Sequence, residues 1–165
     1  MNKLWTPWRM PYLQGDHEQP KGCVFCHKAT CPNEPEQILH RGETCYVALN
    51  RYPYSNGHLL VIPYAHVSSL EDLDTQTLTE MMLSVNLCLA ALREAYAPHG
   101  FNVGVNLGTA AGAGIADHVH MHVVPRWKAD TNFMSVIGDT RVIVEMLDQA
   151  YARLNPIFAK LGETE

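Results

Sequence analysis

An α+β fold built on an antiparallel sheet is the architecture this sequence predicts, from three observations. Short apolar or alternating runs bounded by turn residues recur at 45–49, 58–63, 101–107 and 118–124. One long stripe of apolar residues at three- and four-residue spacing separates the first two runs from the last two. The strands are joined by hairpin-like turns around that single helix, not by repeated strand–helix crossovers.

The elements follow in order. Residues 1–37 are rich in Pro, Trp, Gly and polar side chains and read as loops around a Cys pair. Cys45-Tyr46-Val47-Ala48-Leu49 reads as a short buried strand. Residues 51–57 form a turn ending in Asn56-Gly57, and the strand His58–Pro63 is closed by its proline. Leu78, Met81, Met82, Val85, Leu89, Leu92 and Tyr96 share one face of a helix over about 75–97, with Thr77-x-x-Glu80 as its capping box and Pro98 and Gly100 as its stop. Phe101–Leu107 and His118–Val124 are the next strands, separated by the small residues 108–114. A last helix is expected to start near Asp139 or Thr140 and to end at Pro156. The chain therefore divides into an N-terminal arm (1–22), a central domain (23–138) and a C-terminal helical extension (139–165), placed near the pocket or at a dimer seam.

Length and composition bound the function. With 165 residues, 47% hydrophobic and 18% charged, the chain supports one domain with its own core and is no disordered tail. Its net charge of −5 leaves no electrostatic footprint for general nucleic-acid binding, so any phosphate must be held locally. The N-terminus lacks a signal-peptide apolar region, and no run approaches the ~18 apolar residues of a membrane span. A cytoplasmic protein is expected. Its five cysteines include Cys23-x-x-Cys26, which in that compartment suggests a metal or redox role and not a disulfide scaffold.

The segment His118-Val119-His120-Met121-His122-Val123-Val124 carries the most information. Alternation in a strand puts the three imidazoles on one face, with Val119, Met121 and Val123 packing inward. A His-x-His-x-His match is expected by chance only about 0.03 times at this histidine frequency. Beside a merely solvated hairpin face, two chemistries fit. The histidines ligate a water-activating metal, or the middle one is a nucleophile whose neighbours bind anionic oxygens. The Gly-rich stretch from Asn106 to Gly114 lacks a Walker lysine and a following long helix. It reads either as a flexible connection or as a loop of backbone N–H groups around phosphate. Asn50 reads as a turn residue closing its strand, His58 as a core or pocket residue, Trp127 as a stacking or core residue.

These motifs resemble the histidine triad family. The resemblance rests on the His118–Val124 segment followed by Pro125-Arg126, on Gly57-His58-Leu59-Leu60-Val61-Ile62-Pro63-x-x-His66, and on Cys23-Val24-Phe25-Cys26, and it covers residues 23 to about 127. Trp5-Thr6-Pro7-Trp8-Arg9 and the stretch from Arg126 to Met134 resemble a zinc-containing bacterial branch linked to diadenosine tetraphosphate phosphorylase activity. The resemblance implies a five-stranded antiparallel sheet with two main helices, in a homodimer whose two sheets are continuous. It implies an enzyme acting at the α-phosphorus of dinucleoside polyphosphates. His120 would attack, its Nδ1 hydrogen held by the His118 carbonyl, and His122 would donate to a phosphate or leaving oxygen. Water or inorganic phosphate would release the nucleotide. Phosphorolysis is favoured, with a dinucleoside polyphosphate or adenosine phosphoramidate hydrolase as the alternative and a non-catalytic AMP-binding module as another. His122 itself speaks for hydrolysis, because many transferases of the superfamily carry Gln there. The implied nucleotide contacts are Asn50 to the ribose, and Asn106, Gly112, Gly114 and His122 to phosphate; Asn106 stands in for a Gln that related hydrolases use. The implied zinc ligands are Cys23, Cys26, His66 and His118 in a closed, structural site, with His27 as the rival to His66 and with Cys31, Cys45 and Cys88 outside it.

Overall fold

Antiparallel pairing organises the molecule. The structure is a computed structural model that describes residues 22–30, 37–128, 130, 143 and 145–162. Its strands are β1 (Ile38–Arg41), β2 (Cys45–Leu49), β3 (Leu59–Pro63), β4 (Gly100–Val105) and β5 (Met121–Arg126), in the sheet order β1-β2-β3-β5-β4. Among the described residues three α-helices accompany them: α1 (Val24–Thr30), α2 (Thr75–Tyr96) and α3 (Leu147–Gly162). The α+β class and the five-stranded antiparallel sheet agree with the sequence reading; a short third helix is added to the two long ones.

The two faces of the sheet have different cover, and strand alternation decides which residues go where. Cys45, Val47, Leu49, Leu59, Val61 and Val123 face the main core with Met81, Val85, Cys88 and Leu92 of α2 and Ala150, Leu154 and Phe158 of α3. Full burial of each large apolar side chain contributes roughly 1.5–3 kcal/mol. Tyr46, Ala48, Leu60 and Ile62 point the other way and meet Phe25 of α1 in a smaller cluster. By the same parity, His120 and His122 belong to this second face. Gly57 sets the approach of β3 to α2. It adopts φ +70°, and a Cβ there would fall 2.8 Å from the Tyr96 ring.

Several local expectations are corrected. The Cys pair lies not in a loop but at the start of and within α1. Strand β1 carries no clear alternation in its sequence Ile-Leu-His-Arg and pairs through a register irregularity between Ile38 and His40. The N-cap of α2 is Asp74, whose carboxylate accepts from the Thr77 backbone N–H at 2.7 Å. Glu80, expected in a capping box, instead accepts from the backbone N–H groups of Glu43 and Thr44 and ties the β1–β2 turn to the helix. Met82 points to solvent, 52% exposed, because the buried face of α2 runs through Met81, Ser84, Val85 and Cys88. The helix ends at Ala97, which takes the left-handed conformation.

The histidine strand also starts late. The ladder of β5 begins at Met121, after His118 and His120, while the Val119 N–H donates to the Val67 carbonyl at 2.7 Å. Helix α3 begins at Leu147 and carries Pro156 inside it, since Leu154 and Phe158 on either side are held in the core. It packs on α2 and β1, on the face opposite His120 and His122, and so is not beside the pocket. The expected start of that helix at 139–140, together with Trp5–Arg9, Cys31 and residues 131–134, lies outside the described residues.

Candidate functional site

Three histidines on one segment meet three different sets of partners. His118 sits at the α1 end. Its Nε2 is 2.9 Å from the Pro63 carbonyl oxygen, which only accepts, so Nε2 carries the hydrogen and Nδ1 a lone pair. That Nδ1 lies 3.2 Å from Cys23 Sγ, 3.6 Å from Cys26 Sγ and 3.2 Å from His66 Nδ1. One donor atom from each of Cys23, Cys26, His66 and His118 falls within 4.8 Å of the other three. The i, i+3 spacing of the two cysteines at α1 turns both thiols the same way. Two thiols and two imidazoles form the donor set of a closed tetrahedral zinc site, and the carbonyl behind His118 is the outer partner such ligands need. His27 is not in this group, and Cys45 and Cys88 are buried apart from it as core side chains.

His120 comes next. Its Nδ1 lies 2.9 Å from the His118 carbonyl oxygen, so Nδ1 carries the hydrogen and Nε2 presents a lone pair. The Phe25 ring packs on it at 4.9 Å, and His122 meets it edge-on at 4.9 Å. Burial lowers its pKa below the ordinary histidine value, which keeps the ring neutral and nucleophilic near pH 7.

His122 completes the row. The Tyr54 backbone N–H, a donor only, reaches His58 Nδ1 at 3.0 Å. His58 Nδ1 therefore accepts, His58 Nε2 carries the hydrogen, and it donates to His122 Nδ1 at 2.9 Å. His122 is left with its hydrogen on Nε2, and that buried atom has no hydrogen-bond partner among the described residues. A desolvated N–H with nothing to bind costs free energy unless a ligand oxygen completes it. Burial first, then neighbouring imidazoles, push His58 down to about 3 and His122 down to about 4, so both stay neutral.

A cleft of about 610 Å³ opens beside His122, lined by Tyr54, Asn102, Gly104, Asn106, Val124 and Arg126 among others. Asn106 thus faces the cleft. Asn50 closes β2 and holds its amide nitrogen 3.2 Å from His58 Nδ1, while its Oδ1 accepts from the Tyr52 N–H at 3.0 Å. Gly112 and Gly114 lie in the exposed loop after β4 and outside the cleft lining. The Gly112 N–H is already bonded to the Thr109 carbonyl at 3.0 Å. Trp127 meets Tyr96 edge-on at 6.5 Å.

Sequence reasoning left out Tyr54 and Phe25 and did not decide His58. The Ser55 hydroxyl donates to the buried Pro125 carbonyl and fixes the turn that lays Tyr54 over His58 and His122. Nothing in the sequence marks that turn as part of the site. His58 did carry a signal: it shares strand parity with Leu60 and Ile62, and Leu60 pairs with His122.

A five-stranded antiparallel sheet with its long helices on one face and an alternating histidine row on the other matches the HIT domain family over residues 32–129. The chain belongs to that family. Among curated relatives it is 40% identical over 154 residues to the AP-4-A phosphorylase of Mycobacterium tuberculosis, covering 89% of this chain and 79% of that protein. It is also 34% identical over 94 residues to the asymmetrical bis(5'-nucleosyl)-tetraphosphatase of Schizosaccharomyces pombe, covering 57% and 51%. Among solved structures, a Zn-bound histidine triad family protein from Mycobacterium smegmatis superposes with a TM-score of 0.71 at 29% identity, covering 87% of this chain and 98% of that one.

Proposed function

We propose that this protein is a nucleotidyltransferase that cleaves dinucleoside polyphosphates of the diadenosine tetraphosphate type at the α-phosphorus and passes the nucleotidyl group to inorganic phosphate. The observation that carries the reading is the pairing of a free lone pair with a free N–H. His120 Nε2 keeps a lone pair, and the ring beside it holds the His122 Nε2 hydrogen, which has no partner among the described residues. The likeness to an AP-4-A phosphorylase over most of the chain supports the same substrate class.

In the first step the His120 Nε2 lone pair forms a bond to the α-phosphorus. The bond from phosphorus to the bridging oxygen breaks, and its electron pair leaves with the second nucleotide. The His122 N–H stabilises charge on the phosphoryl or departing oxygen. The His120 ring becomes cationic, and its Nδ1 hydrogen, directed at the His118 carbonyl, holds that charge. In the second step an oxygen of inorganic phosphate attacks phosphorus and the electron pair returns to His120 Nε2. Diadenosine tetraphosphate then yields ADP and ATP. Asn50 orients the ribose, and Asn106 donates to phosphate from the cleft wall.

Cys23, Cys26, His66 and His118 would hold a structural zinc ion, which pins α1 and Phe25 against the histidine row. Two copies joined edge to edge through β4 form a homodimer. The other edge, β1, is irregular and covered by α3, whereas β4 is a terminal strand with exposed Asn102, Val103 and Gly104. No described helix is long and apolar enough to cross a membrane.

Nucleotide release with and without phosphate tests this. Strict phosphate dependence with ADP and ATP as products is expected. AMP and ATP formed without phosphate would instead make the protein a hydrolase, as the tetraphosphatase relative and the histidine at 122 favour. Tight AMP binding without turnover would leave only a binding module.

A further inference from the structure

The cleft beside His122 extends along β5 to a cation that the steps above do not use. His122, Val124 and Arg126 follow one another on the same sheet face. The Arg126 guanidinium is held as a planar fork: Nε and Nη2 donate to the Asp130 carboxylate at 2.6 and 2.9 Å. Its Nη1 donates to Asn102 Oδ1 at 2.9 Å. Asn102 is the cross-strand partner of Val124, so the guanidinium leans back along β5 toward His122. At ~3.3 Å per residue the Val124 level stands roughly 7 Å from the His122 level. That is about two phosphorus-to-phosphorus steps of a polyphosphate chain.

The floor between them is open. Gly104 is the cross-strand partner of His122, and a Cβ built on it would meet nothing within 4 Å. Three of the five guanidinium donors are engaged among the described residues. By count one N–H remains on each terminal nitrogen, the number a bidentate phosphate contact takes. The side chain is about one-third exposed, so a ligand in the cleft can reach it.

We propose that Arg126, clamped by Asp130 and Asn102, binds a phosphoryl group beyond the one that His120 attacks. The subsite rests on the nucleotidyl-transfer reading above. Its ligand chemistry is a phosphate dianion or diester oxygen, supplied either by the substrate's own chain or by the incoming orthophosphate.

Two substrates separate this role from a structural one. Diadenosine tetraphosphate carries phosphates past the attacked phosphorus, and adenosine 5'-phosphoramidate carries none. In Arg126→Gln the ratio of kcat/KM for the tetraphosphate over that for the phosphoramidate is expected to fall about tenfold, the scale of one charge-assisted hydrogen-bond pair. Arg126→Lys keeps the charge without the fork and should restore part of the ratio. If Gln at 126 fails to fold by circular dichroism, the lysine variant carries the test with a fall of about threefold. A raised KM for the tetraphosphate at constant KM for orthophosphate places the bound group on the substrate chain. A raised KM confined to orthophosphate places it on the acceptor. Equal losses on both substrates with the KM for orthophosphate unchanged, or no loss on either, overturn the subsite. A wild-type protein that turns over neither compound removes the underlying reading and the subsite with it. A wild type that does, beside an indistinguishable Arg126→Gln, removes the subsite alone.

Discussion

His118 and His122 lie four residues apart, on one face of one segment, and are set for opposite chemistries. His118 gives its Nε2 hydrogen to the Pro63 carbonyl and turns a lone pair toward two thiols and another imidazole. His122 receives a hydrogen bond on Nδ1 from His58 and keeps an Nε2 hydrogen that has no partner among the described residues. The same side chain offers a lone pair to a group of metal-type donors in one place and keeps an unpaired N–H in the other. What decides is the partner of the second ring nitrogen, and both partners come from β3 or the segment leading into it. His120, between them, has its Nδ1 hydrogen fixed by a carbonyl of its own segment and keeps a lone pair on Nε2. A histidine row is thus three tools, and the neighbours choose each one.

The largest effect should come from the middle of the row. Replacing His120 by Ala is expected to lower kcat by more than about 10³-fold, as removal of a covalent nucleophile does. A radiolabelled nucleotidyl-protein, trapped by alkaline quench, should form on the wild type and not on this variant. Full turnover by His120→Ala would remove that residue from the mechanism.

The metal end should respond in stability. Chelation, or Cys26→Ser, is expected to lower the melting temperature by roughly 10 °C or more and activity with it, since metal binding is folding free energy. A chelated protein that melts unchanged yet loses all turnover would put the ion in the chemistry, erasing the contrast between the two ends.

At the anion end, His122→Asn is expected to reduce kcat by about 10²-fold, the scale of a lost oxyanion-type donor, with the melting temperature nearly unchanged. A change in KM alone would mean that His122 binds the ground state and the transition state equally.

The smallest effect is a pH slope. His58 and His122 are pushed down to about 3 and about 4, against an ordinary 6.5 in the unfolded chain. Below pH 6.5 the unfolded state binds more protons, so their contribution is full above that pH and is lost as pH falls toward about 4. Melting curves of metal-loaded protein at pH 7.5 and pH 5 should show the loss, and His58→Gln should flatten it. An equal slope in the variant would assign the acid sensitivity to other groups.

Much of this was legible before any coordinates. Alternation alone put His120 and His122 together, opposite Val123, and three- and four-residue spacing alone located α2. The bulged pairing of β1 was not legible, because four residues without alternation carry no period to read. Nor was the true cap of α2: Asp74 and Glu80 both suited the role by type, and only the Glu43–Thr44 turn shows why Glu80 is engaged elsewhere. The likeness to known histidine triad sequences picked His66 over His27 for the metal group, which spacing within the chain could not do.

By itself the sequence determined which residue types could do chemistry here, because strand and helix periods are local properties of the chain. It determined the histidine row, the paired thiols and the buried apolar strips. Only the tertiary structure decided which ring nitrogen each histidine keeps, that Tyr54 and Phe25 wall the row, and that Arg126 faces the same cleft with Asp130 and Asn102 around it. Those outcomes depend on contacts between segments 24 to 95 residues apart, such as His58 with His122, Cys23 with His118 and Arg126 with Asn102. No pattern within one segment encodes such a meeting; it appears when the strands pair.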